Sequence, residues 1–155
     1  AGPAPQFNYA TSSDESSAAQ SGDDAASVRV SFSGVSAPTW TWSAEAEAFV
    51  RSQTNGAPDT AISGAQLSAA NVVIIEVDIQ VIQDIPTTQM VGSGEGIVAT
   101  GGKVLEVSWS KPSPESPIEL TDSSAARVLL APGQTWVELI PAEGSGVPAG
   151  SVDIQ

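Results

Sequence analysis

The sequence predicts a mainly β fold, an antiparallel β-sandwich or partly closed barrel with little helix. Three observations carry that expectation. Short runs of alternating apolar and polar residues recur along the chain, the period-two signature of half-buried strands. Clusters of Gly, Pro and Ser separate them, as turns between strands do. Apolar residues at helical spacing are almost absent. At 155 residues the chain has the length of one domain and can bury a core without disulfide or metal staples.

Residues 1–27 read as an acidic, Ser- and Ala-rich lead-in, loosely ordered because it has little to bury and pinned at most by Phe7 and Tyr9. Asp14, Glu15, Asp23 and Asp24 offer oxygens that suit calcium, but without the D-x-D-x-D-G spacing of a calcium loop. A single β domain is predicted over 28–141. In Val28–Phe32, Val28, Val30 and Phe32 share a face opposite Arg29 and Ser31, and Thr39–Ser43 puts Trp40 and Trp42 on a common face. Ala44–Gln53 reads equally as a strand or a short helix, and Asn55-Gly56-Ala57-Pro58-Asp59 is turn punctuation.

Leu67–Ala70 is predicted as one helical turn before the longest strand, Asn71–Ile82. There Val73, Ile75, Val77, Ile79 and Val81 line one face, while Glu76, Asp78 and Gln80 interrupt the other. Twelve residues is long for a globular strand, so it is expected to bend or to serve two sheet regions, with Pro86 ending it. The hairpin that follows is the predicted centre of the fold. Ile97–Thr100 enters Gly101-Gly102, a dipeptide free to take the positive φ of a primed two-residue turn. Lys103–Ser110 returns with Leu105, Val107 and Trp109 on one face and Val104, Glu106, Ser108 and Ser110 on the other. Thr135–Ile140 is expected to cover this hairpin as a third strand. Pro112–Pro117 is a rigid, donor-poor connection, Ile118–Thr121 and Arg127–Leu130 are short strands, and residues 142–155 form a C-terminal tail.

Composition narrows function. Neither Cys nor His occurs, which removes Cys-His and Ser-His-Asp catalysis and every His- or Cys-ligated transition-metal site; no cofactor is expected. Five basic against eighteen acidic residues give a net charge of -13, which repels phosphate backbones and anionic lipid, so no nucleic-acid partner is expected. Ser108-Trp109-Ser110-Lys111 matches S-x-x-K literally, but on a strand Ser108 and Lys111 point to opposite faces, and no companion motif exists. Glu76 and Asp78 stand about 7 Å apart along a strand face, near the separation of a glycosidase carboxylate pair. Trp40, Trp42, Trp109 and Trp136 read as core anchors or as a stacking platform for sugars. With basic residues so scarce, Arg51 and Lys111 read as structural partners of carboxylates such as Asp59 and Asp122, or as one locally positive pocket.

Several of these segments carry a family resemblance. Phe49-Val50-Arg51, Asn55-Gly56-Ala57-Pro58-Asp59, Ala69-Ala70-Asn71-Val72-Val73, Gly92-Ser93-Gly94-Glu95-Gly96, Gly102-Lys103, Trp109-Ser110-Lys111 and Pro132-Gly133-Gln134-Thr135-Trp136-Val137-Glu138-Leu139, in that order, resemble the C-terminal domain of the YerB-like bacterial lipoproteins, the DUF3048 family. The resemblance runs from about Val28 to Pro141. It implies an extracytoplasmic domain of a longer protein, anchored to the cell membrane through a lipidated cysteine upstream of Ala1, and it implies no reaction. Two departures stand out. Pro58 occupies the place before Asp59 where family members often have histidine, so a His-Asp site cannot operate, and Asp122–Ala126 lacks the glycine often found there.

The expectation is therefore a non-catalytic module that binds a cell-envelope component or an envelope protein, with Arg51, Asp59, Asn71, Trp109 and Lys111 lining any ligand groove. A cell-wall glycan or peptide hydrolase or transferase acting through carboxylates is the alternative from another class. A structural platform for an N-terminal domain of the same chain is the third.

Overall fold

The strand Asn71–Ile82 is the spine of the molecule, buried along Asn71–Ile75 and at Val77 on both of its faces. Side chains of successive strand residues point to opposite sides, so two-sided burial requires a layer on each side of the sheet. The structure is a computed structural model that describes residues 5–155; the first residues of the predicted lead-in lie outside that range. Its elements are, in chain order, β1 (Asn8–Tyr9), α1 (Ser17–Ser21), β2 (Asp23–Asp24), β3 (Ser27–Ser31), β4 (Thr39–Ser43), β5 (Ala48–Ser52), β6 (Ser68–Ala69), β7 (Asn71–Ile82), β8 (Ile85–Gln89), β9 (Gly92–Thr100), β10 (Lys103–Lys111), β11 (Glu119–Thr121), β12 (Leu129–Leu130), β13 (Thr135–Pro141) and β14 (Ser151–Ile154).

A seven-stranded sheet runs β11-β10-β9-β7-β13, with β2 added on β10 and β8 on β7. A five-stranded sheet runs β14-β3-β4-β5-β6. Both curl, and together they make a mainly β half-barrel. Between them lies one core, where Val28, Val30, Trp40 and Phe49 meet Val72, Ile74, Ala99, Val104 and Ile140. The second core fills the opposite face of the large sheet, where Val73, Ile75, Val77, Val98, Val107 and Trp109 pack under Ile118, Leu120, Val128 and Leu130. Val104 and Val107 thus sit in different cores, as the alternation of the returning hairpin strand predicts.

The central hairpin forms with Thr100 opposite Lys103 and with Gly101 and Gly102 at φ 62° and 73°, the primed turn whose twist matches the strands. Two glycines of β9 allow close approach. A Cβ on Gly96 would stand 2.7 Å from the Ile74 carbonyl oxygen, and one on Gly94 would stand 2.8 Å from the Trp109 indole nitrogen.

Five expectations need correction. Thr135–Ile140 does not cover the hairpin; β13 pairs in parallel with β7, Thr135 opposite Asn71, because its alternation fits the far side of that strand equally well. Leu67–Ala70 is extended rather than helical, since the Arg51 amide donates to Leu67 O and the Leu67 amide to Asp59 O, bonds a helical turn would have kept to itself. The described part of the lead-in is not loosely ordered, for β1 pairs with β12 and β2 with β10, and Ser16, Ala18 and Ala25 are buried. Of the two readings of Ala44–Gln53, by contrast, the strand holds over Ala48–Ser52, after a turn with Glu47 at φ 49°. Pro86 does not end the sheet: β8 folds back on β7 with Val81 opposite Pro86, through a Gln83-Asp84 turn at φ 51° and 63°. Proline is tolerated there because β8 pairs with β7 alone and needs no donor on its outer edge. The C-terminal stretch does not trail away, for β14 pairs with β3, Val152 opposite Val30.

The close approach at Gly96 is directly testable. Gly96→Ala is expected to lower stability in urea denaturation by about 1–3 kcal/mol. Gly34→Ala, where nothing lies within 4 Å of the new methyl group, should stay within about 0.5 kcal/mol of wild type.

Candidate functional site

Arg51 on β5 and Glu138 on β13 project from different sheets into the edge of the core between them. The Arg51 guanidinium forms an ion pair with Asp59 through Nη1 and another with Glu138, Nε to Oε1, at 3.4 Å. It also lies against two indoles, 5.8 Å from the Trp40 ring centre and 5.3 Å from that of Trp136, within range for cation–π attraction. The indoles meet edge to face at 5.3 Å, and Trp40 Nε1 donates to Glu138 Oε1 at 3.2 Å. The loop before β6 holds the arrangement, since Asp59 N donates to Arg51 O at 3.0 Å and Gln66 Nε2 donates to the same carbonyl at 2.8 Å.

The Glu138 side chain is only 7% exposed, against 18% for Arg51 and 21% for Asp59. Burial pushes the Glu138 carboxyl above its ordinary pKa, opposed by the Trp40 hydrogen bond and the Arg51 charge. Sequence reasoning missed this residue. The available signal was parity: Glu138 shares its strand face with Trp136 and Ile140, which places a carboxylate on an apolar face and calls for a partner.

The remaining predicted site residues do not join this cluster. Asn71 is fully buried and all four of its hydrogen-bonding positions are used. Its amide nitrogen donates to Ala131 O and Thr135 Oγ1, and its oxygen accepts from Thr100 Oγ1 and Ala131 N. It locks β7 to the hairpin end and to the approach to β13. Trp109 belongs to the core on the other face of the large sheet, where its indole donates to Glu76 O at 2.8 Å. Lys111 donates to the carbonyls of Pro114 and Ser116, closing the proline-rich loop. Asp122 accepts from the amides of Ser124 and Ala126 within its own turn. The five residues expected to line one groove therefore occupy four places, and only Arg51 and Asp59 come together.

The other candidates separate as well. Glu76 lines a cavity of about 260 Å³ with Glu95 and Glu106 rather than with Asp78, and Asp78 accepts from Gln80 at 3.2 Å. Of the acidic lead-in residues, Asp24 pairs with Lys103 at 2.8 Å and Glu15 accepts from Thr11. No group of three or more acidic side chains among the described residues is arranged to hold a metal ion.

The buried pair yields a prediction with a definite sign. A carboxyl whose pKa is raised by folding contributes most to stability below its unfolded pKa, and loses that contribution as pH rises through the folded value. The stability of wild type relative to Glu138→Gln should therefore fall between about pH 4 and neutrality, measured by urea denaturation across that range. Arg51→Met, which leaves Glu138 buried without its cation, should cost about 3 kcal/mol at neutral pH and less in acid.

Comparison with known proteins agrees with this architecture. Residues 28–137 match the model of a protein family described as "Protein of unknown function (DUF3048) C-terminal domain". The crystal structure of the YerB protein from Bacillus subtilis has the same fold, with a TM-score of 0.71 at 20% identity. The alignment covers 95% of this chain and 46% of that one, so the chain spans about half the length of this relative. No curated protein matches the chain significantly. The chain belongs to the DUF3048 family, whose C-terminal domain it carries.

Proposed function

We propose that this domain is a non-catalytic interaction module of an extracytoplasmic, lipid-anchored protein, and that it contributes surface rather than chemistry to the cell envelope. The observation that carries this reading is a contrast in how side chains are used. Arg51, Asp59, Asn71, Trp109 and Lys111 are each bound into the fold. Apolar side chains instead stand in solvent on the arm formed by the outer half of β7 and by β8, where Val81 is 50% exposed, Ile82 49% and Ile85 63%. Adjoining exposed aliphatic residues at the tip of a projecting hairpin suit contact with another protein surface. The envelope location is part of this proposal and is drawn from the family resemblance alone; no helix among the described residues is long and apolar enough to cross a membrane.

A second reading draws on the 46% coverage of YerB: the arm docks on an N-terminal domain, and the module is a platform for it. A hydrolase acting through Glu76 and Asp78 has less support, because the two carboxylates do not share a cavity.

Co-sedimentation of the domain with isolated cell envelopes at about 0.15 M salt, where charge effects beyond roughly 8 Å are screened, separates these readings. The envelope-module reading predicts that the wild-type domain pellets and that Ile82→Ser/Ile85→Ser stays in the supernatant, with urea stability within about 0.5 kcal/mol of wild type. Equal pelleting of both proteins would overturn the role of the arm. Absence of pelleting, with Ile82 and Ile85 shielded only in a chain extended to include an N-terminal domain, would replace it with the platform reading.

A further inference from the structure

The indole of Trp42 is the least consumed of the aromatic groups. It is half-buried near the end of β4, tilted against Phe49, 5.2 Å away between ring centres, with its five-membered ring against the Gly101-Gly102 turn. A Cβ on Gly102 would stand 3.0 Å from Trp42 Cδ1, so the ring rests against that glycine backbone and is fixed in place. Its Nε1–H bonds to no acceptor among the described residues, and since no buried side-chain donor among them is left unsatisfied, this one is open to solvent.

Trp42 looks onto a cleft of about 700 Å³, within the range of small-ligand sites. Five stretches of the chain line it: the segment that carries Asp14 and Ala19, the end of β4 and the turn that carries Glu47, Ala70 before β7, the end of the central hairpin with Lys103, and Ala131-Pro132. No other aromatic residue lines it, so Trp42 is its one large ring. Asp14 and Glu47 are exposed and form no ion pair among the described residues, whereas the Lys103 amine is occupied by Asp24 at 2.8 Å. Glu47 sits at φ 49°, a conformation that glycine or asparagine adopts at less cost.

We infer that this cleft is a saccharide-binding site, in which the C–H face of a pyranose stacks on Trp42 while Asp14 and Glu47 accept hydrogen bonds from ring hydroxyls. A fixed aromatic plate flanked by acceptors provides both the apolar and the polar half of sugar recognition. The sign of the field sets the class of ligand. With free carboxylates at the rim and a net charge of -13, the site takes neutral glycans and rejects uronic-acid or phosphate-bearing ones. The assignment deepens the envelope-module reading and rests on it for its biological setting, but it uses a different surface from the β7–β8 arm.

The test is a titration of the domain with soluble, fully N-acetylated chitohexaose, a neutral β-linked N-acetylamino-sugar oligomer, followed by the indole N–H resonances of its four tryptophans. The Trp42 resonance should shift saturably, those of buried Trp40 and Trp109 should hold still, and polygalacturonate should produce no shift. Asp14→Asn and Glu47→Gly should each weaken binding about tenfold, the loss of one or two hydrogen bonds. Glu47→Gly should leave the melting temperature equal or higher, because glycine relieves the positive φ, and so a folding defect cannot account for its weaker binding. A Trp42 resonance unmoved at about 10 mM chitohexaose, a Kd too weak for a useful site, overturns the inference, as do two variants that bind like wild type. Loss of glycan binding alone, with envelope pelleting still dependent on Ile82 and Ile85, would remove this site and leave the module reading standing.

Discussion

Two-sided burial of β7 is the constraint on which the rest of the structure depends. Val72 and Ile74 belong to one core and Val73, Ile75 and Val77 to the other, so neither covering layer can be removed without exposing a row of branched aliphatic side chains. Such a strand reads as a nearly continuous apolar run, Val72-Val73-Ile74-Ile75, as strands covered on both faces do. The five-stranded sheet exists to cover one side, and the β11–β12 segment with the lead-in covers the other. Beyond Ile79, which still packs against the second core, the covering stops, and the same strand continues as an arm paired only with β8 and, through the Gly146 amide on Ile79 O, with the C-terminal loop.

The charged cluster at the sheet edge follows from that layering. β13 lies at the edge of the large sheet, and Glu138 projects from it into the core between the sheets, where a lone carboxylate would be costly. Arg51 from the opposite sheet meets it, with Asp59 and two indoles completing the enclosure. Removing one partner of such a pair costs much more than the pair itself contributes. The cluster is therefore better understood as a clasp between sheets than as a catalytic centre, and Asn71 plays the equivalent part at the start of β7.

What was legible in the sequence was what local pattern determines. The hairpin about Gly101-Gly102, the length and faces of β7, and the inward Val28 and Val30 all follow from alternation and turn chemistry, and all stand in the structure. That Arg51 would serve as a structural ion-pair partner was legible from the scarcity of cations, but the same reading of Lys111 was not met, since its amine bonds to the Pro114 and Ser116 carbonyls. The β7–β8 turn was hidden because Gln83-Asp84 takes positive φ without a glycine to announce it, and Pro86 looked like a terminator. β6 and β14 are too short to show a period. The parallel partnership of β13 with β7 is set by tertiary packing, since a strand's alternation gives its faces and says nothing of its neighbour. The expected groove failed for the same reason: Trp109 and Arg51 lie on opposite sides of one sheet, a separation no local pattern records.

Native-state hydrogen exchange tests the central claim most directly, because it separates segments that open only with the whole fold from those that open alone. If two-sided burial of β7 organises the domain, the amides of Val72–Val77 exchange only through global unfolding, while those of Val81, Ile82 and Thr87 exchange through local opening of the arm, faster and independently of overall stability. Equal, global protection along the whole of β7 and β8 would contradict it, since the arm would then be part of the core rather than a free surface.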